Sequence, residues 1–161
     1  MNTIRRAAMA ILLGASLATL AACSGEADAP TQAGEAAAGL TVSNARVVLA
    51  PVAGNPAAVY FDLSYSGTAP VTLTSVAVEG AGMTMIHDYA ESAGKMQMTM
   101  AGPITLAEGA PVTFAPGGLH VMAMEPAADL VAGGTAKVTL TLSDGTSATV
   151  DAPVRAAGEE R

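Results

Sequence analysis

Between Leu40 and Val154 the chain is cut into short alternating or β-branched runs, separated by Gly, Pro, Ser and Asn. Runs of this kind read as strands, and the residues between them as turns. Expected strands are Leu40–Leu49, Ala57–Tyr65, Val71–Val78, Met83–Tyr89, Lys95–Ala101, Val112–Phe114, Gly118–Met124, Ala136–Leu142 and Ser147–Val150. The last two flank Ser143-Asp144-Gly145, whose Asp-Gly pair favours a hairpin. No segment after the first 22 residues sustains a period of 3.6. The expected fold class is therefore all-β, a Greek-key β-sandwich or barrel. Its core has to be built from Val, Leu, Ala and Met, because Trp is absent and Phe occurs twice.

The N-terminal segment has a different logic. Met1–Arg6 carries two positive charges, and an apolar run follows to Ala22. A basic start before a short apolar stretch reads as a secretory signal, and the run is too short for the roughly 20 apolar residues of a spanning helix. It ends Leu20-Ala21-Ala22-Cys23, which resembles a bacterial lipobox, with Cys23 as the lipidation site and the single cysteine of the chain. Two acyl chains on that residue give stable anchoring. The expected organisation is a lipoprotein signal peptide at 1–22, a flexible acidic tether at 23–39, one folded domain at 40–155 and a polar tail at 156–161. The signal carries two Arg and no acid, so its removal takes the formal charge from −7 to −9. So few cations leave no footprint for a phosphate backbone, and nucleic acid is not an expected partner.

Chemistry concentrates in one third of the domain. Seven of nine methionines and both histidines lie between Met83 and Met124. Alternate residues of a strand share a face. Met83, Met85 and His87 therefore form one stripe, Met96, Met98 and Met100 a second, and His120, Met122 and Met124 a third. Methionine is also a core filler, and Met83, Met85 and Met96 are the expected core members. Thioether and imidazole are neutral ligands, so a site built from them suits soft, monovalent Cu(I) better than a dication that prefers thiolate or carboxylate.

The spacing His87, ten residues, Met98, twenty-one residues, His120-Val121-Met122 resembles the H-x10-M-x21-H-x-M signature of the periplasmic copper chaperone PCu(A)C family. Gly94-Lys95-Met96-Gln97-Met98 is similar to its G-x-M-x-M strand, and Pro116-Gly117-Gly118-Leu119-His120 to its P-G-G-x-H turn. The likeness spans about Leu40 to Val154. It implies a cupredoxin-like fold with one Cu(I) per domain, held by His87, Met98, His120 and Met122. It further implies a carrier, not an enzyme, that hands copper by ligand exchange to a respiratory oxidase subunit, notably the CuA centre of cytochrome c oxidase, or to another copper chaperone. The sequence departs from the pattern in having Asp88 where many members have Met, and in lacking a His/Met-rich tail. The expected form is a monomer, lipid-anchored at the periplasmic face of a bacterial membrane.

Other readings remain open at this stage. Copper storage or resistance would use the same ligands, and a structural envelope lipoprotein would use the methionines only as core. An electron-transfer cupredoxin needs a Cys ligand, and Cys23 lies in the lipobox. A hydrolase lacks the Gly-x-Ser-x-Gly elbow.

Overall fold

A computed structural model describes residues 39–92 and 94–159. The expected signal peptide, Cys23 and the tether up to residue 38 lie outside the described residues. Ten strands follow one another: β1 (Leu40–Val48), β2 (Ala57–Tyr65), β3 (Val71–Val78), β4 (Ala81–Ser92), β5 (Lys95–Met100), β6 (Ile104–Leu106), β7 (Val112–Phe114), β8 (His120–Pro126), β9 (Thr135–Leu142) and β10 (Ser147–Arg155). There is no helix among the described residues, so none is long and apolar enough to cross a membrane. All nine expected strands are present. Ile104–Leu106, a three-residue strand pinned to β3, was not expected.

The strands run in the order β5-β4-β8-β2-β1-β10-β9-β3-β6, with β7 also on β2, and the path does not close. The architecture is thus a sandwich and not a closed barrel. Its two halves meet where β1 and β10 pair in parallel through Val47–Val154 and Val48–Arg155. One apolar cluster draws on both halves, from Val42, Val59, Phe61 and Val121 to Val138, Leu140 and Val150.

Strict alternation explains β9 and β10. Ala136, Val138, Leu140 and Leu142 are buried, as are Ala148, Val150, Ala152 and Val154. On the opposite face Lys137 pairs with Asp151 at 2.9 Å and the Thr139 and Thr149 hydroxyls meet at 2.9 Å. Such cross-strand pairs add small increments to a register already set by burial. The expected Asp-Gly hairpin joins these strands, with Gly145 at φ 84 and the Thr146 amide donating to Asp144 Oδ1 at 2.9 Å.

The arrangement around β2 positions the site. β8 pairs with Ala57–Val59 and β7 with Phe61–Leu63, both antiparallel. Lengthwise, β7 and β8 are therefore one strand interrupted by the excursion Ala115–Leu119. Phe114 is buried before the interruption, its ring centroid 4.3 Å from that of Phe61. The Gly118 amide donates to the Ala115 carbonyl at 3.1 Å and the Ala115 amide to the Leu119 carbonyl at 2.8 Å. Pro116 then Gly117, at φ 84, fit the two central positions of a type II turn, the second of which favours Gly.

Candidate metal centre

β4 lies between β5 and β8, and its register with both brings the three Met/His stripes onto one face. Met83 pairs with Met124, Met85 with Met122 and His87 with His120. On the other side His87 pairs with Met100, Tyr89 with Met98 and Glu91 with Met96. The intervening residues Ile86, Val121 and Ala123 belong to the core or pack on it. The Met/His residues therefore occupy the outer face. This corrects the expectation that Met83, Met85 and Met96 fill the core: Met83 is 53% and Met96 62% exposed, and Met85 is half-buried. The aliphatic positions of the same strands suffice to close the interior, so the thioethers are left outside.

Of the four expected donors, two are direct neighbours in this ladder and the other two lie on opposite diagonals. His87 and His120 are direct cross-strand partners, with ring centroids 5.9 Å apart and planes at 69°. Met122 stands one step along β8 on the same face and is half-buried. Met98 lies one step the other way on β5, diagonal to His87, and is 45% exposed. Met100, directly opposite His87, is more exposed at 63%.

The two imidazoles are prepared differently. His120 is buried, and its Nδ1 lies 2.8 Å from the Gly118 carbonyl oxygen. A carbonyl only accepts, so Nδ1 carries the proton and the Nε2 lone pair of the neutral ring is left available. Metal-binding histidines commonly use their second nitrogen in this way. The carbonyl comes from the excursion between β7 and β8, so the Pro-Gly-Gly sequence fixes the ring. His87 has the opposite condition: its Nδ1 is buried with no hydrogen-bond partner among the described residues. Burial and, secondarily, the neighbouring His120 push the His87 pKa below the ordinary 6.5, which favours the neutral, metal-competent ring. An unpaired buried nitrogen is unfavourable, and a bound cation would remove that penalty.

Tyr89 also borders this site, although it carries neither sulfur nor imidazole. Its ring stacks on His120 at 5.6 Å and 30°. Its sequence signal is period two, since Tyr89 is the next alternate residue after His87, whereas a search by sulfur and imidazole finds no donor there. Among the described residues no three His, Cys, Asp or Glu side chains gather in a way that could hold a metal ion.

The description "Putative lipoprotein LpqE-like" belongs to a family whose model matches residues 40–154. The chain belongs to the LpqE-like family. A relative from Leifsonia xyli subsp. xyli named "Putative lipoprotein Lxx21020" is 32% identical over 149 residues, covering 91% of this chain and 85% of that protein. Among solved structures, the apo PCuAC domain from PmoF1 aligns with a TM-score of 0.63 at 24% identity, over 76% of this chain and 98% of that one. The solution structure of CuI-DR1885 from Deinococcus radiodurans aligns with a TM-score of 0.59 at 26% identity, over 86% and 87%. This LpqE-like chain thus has the cupredoxin-like β fold of PCuAC domains, as the sequence resemblance implied.

Proposed function

We propose that this chain is an extracytoplasmic carrier of Cu(I), binding one ion at the primary site formed by His87, Met98, His120 and Met122. The observation that carries the reading is the pair of facing imidazoles, one tied through Nδ1 to a backbone carbonyl and the other with a buried nitrogen lacking a partner. Thioethers flank the pair on both neighbouring strands. Neutral, soft donors favour Cu(I) over divalent ions. The copper-loaded form of the DR1885 relative supports the same cargo.

The residues divide the work. Gly118 holds His120 in one tautomer, Tyr89 shields one face of its ring, and half-buried Met122 limits water beside the histidines. Exposed Met98 leaves one side open, where an acceptor's thiolate or thioether can replace it. No substrate bond is broken and the ion keeps its charge, so the protein acts as a carrier, not as an enzyme. Acylation at Cys23 would hold the monomer at the periplasmic face of a membrane, with residues 23–39 as its tether. The acceptor in this reading is a respiratory oxidase subunit, such as the CuA centre of cytochrome c oxidase, or another copper chaperone.

Anaerobic Cu(I) titration with X-ray absorption tests the site. A mixed sulfur and nitrogen shell is expected, and His87→Ala with Met122→Leu should weaken binding beyond the about 10–100-fold typical of outer-shell substitutions. Unchanged affinity in that variant, or an oxygen-dominated shell, refutes the assignment. Delivery predicts reduced oxidase activity in a deletion strain under limiting copper, whereas storage alone predicts no such loss.

A further inference from the structure

β4 and β8 carry three thioethers that the primary site leaves unused. Met83 and Met124 are direct cross-strand partners, and Met85, two residues along β4, faces Met122. Direct partners have Cβ atoms about 4.5–5.5 Å apart and diagonal neighbours about 7–8 Å. Methionine's three rotatable bonds let sulfurs converge across such gaps. The core does not need these residues: Ile86, Val121 and Ala123 already serve it from the same strands. Met83 is 53% exposed, with Met85 and Met124 half-buried, so an ion could reach the group from solvent.

A second feature lies at the end of this row. Glu125, immediately after Met124, adopts a left-handed backbone with φ 51. Left-handed backbone is unusual for a residue other than Gly, Asn or Asp, and such outliers gather at functional sites. Its carboxylate lies over Gly82, so closely that a Cβ there would fall 2.6 Å from Oε2. Gly82 and Glu125 alternate with Met83 and Met124 along the same two strands, so this carboxylate lies on the other face of the ladder and leaves the thioether face to the methionines.

We propose that Met83, Met85 and Met124 form a second, all-thioether site for Cu(I), adjoining the histidine-containing one. The proposal rests on the primary-site reading for the identity of the ion, but it uses none of the same ligands. Because Met85 faces Met122, an ion could pass between the sites by exchanging one thioether for another, with no change of oxidation state.

The test is anaerobic titration of the full chain in detergent with Cu(I), following the methionine methyl signals by NMR. The first equivalent should shift Met98 and Met122, and the second Met83, Met85 and Met124. In Met83→Leu/Met124→Leu, a volume-conserving exchange, the second event should be lost and the first retained, which also certifies the fold. Saturation of the wild type at one equivalent, or two equivalents in the double-leucine variant, overturns the proposal. In His87→Ala/His120→Ala the Met83, Met85 and Met124 shifts should persist, and their loss there also overturns an independent site. Absence of the Met98 and Met122 shifts in the wild type, with the other three still responding, refutes the primary site alone.

Discussion

Phe114 offers a way to separate stability from site geometry. It closes a strand of three residues held by β2 alone, and its ring packs 4.3 Å from that of Phe61, both being buried. Phe114→Ala removes a fully enclosed ring, at about 3–5 kcal/mol, of which about 0.5–1.5 kcal/mol belongs to the aromatic pair itself. At about 4 °C per kcal/mol for a domain of this size, the melting temperature should fall by about 12–20 °C. The substitution also releases the start of the Ala115–Leu119 excursion, whose Gly118 carbonyl orients His120. Losing one ordered side chain from the site should weaken Cu(I) binding by about 0.5–1.5 kcal/mol, or about 2- to 12-fold. Leu140→Ala in β9 is the control, since it should destabilise by a comparable 2–5 kcal/mol, on the order expected for buried leucine, without touching the site. Urea unfolding gives the stabilities, and competition with a chromogenic Cu(I) chelator gives affinities well below the melting point. Equal affinity in Phe114→Ala and wild type, or equal losses in both variants, would refute the coupling of β7 to His120.

Two further outcomes follow from local geometry. Because folding lowers the His87 pKa below 6.5, the unfolded chain binds the proton more readily than the fold. The stability contributed by neutral His87 is fully present above about 6.5 and is lost as pH falls through the lower folded-state value. Urea titrations of the metal-free protein across that window should slope upward with pH, and His87→Gln should flatten the slope; an unchanged slope contradicts the burial argument. At Gly117 a methyl group would meet nothing within 4 Å, so only φ 84 opposes it. Gly117→Ala should destabilise by about 1–2 kcal/mol and Gly117→Asn by less, because Asn tolerates left-handed backbone. Equal losses for the two in urea unfolding would point to a steric cause instead.

The sequence made strands legible where alternation was clean, as in β9 and β10, and where a glycine fixed the turn, as at Asp144-Gly145. It did not reveal β6, because three residues between Pro103 and Ala107 are too short to show a period. Nor did it show that Gly118 belongs to an excursion and not to β8, a fact set by where β2 stops pairing with one segment and starts with the next. The shared face of each Met/His stripe was readable from period two. Which side faced the core was not: Met83 and Met96 are as hydrophobic as buried residues, and only the competing aliphatic set decides their exposure. The place of Tyr89 on the same face was readable from period two, but its ring contact with His120 across strands was not.

The position of β5 has a mechanical consequence. It ends the strand path and is bonded along one side only, to β4, and its six residues are exposed throughout. His87, His120 and Met122 sit on strands paired on both sides, whereas Met98 sits on this rim. Peeling back the rim would remove a single sulfur from the proposed site and leave its other three residues in register. In the proposed carrier, cargo could then be surrendered by fraying one border of the fabric, with no need to unravel the weave.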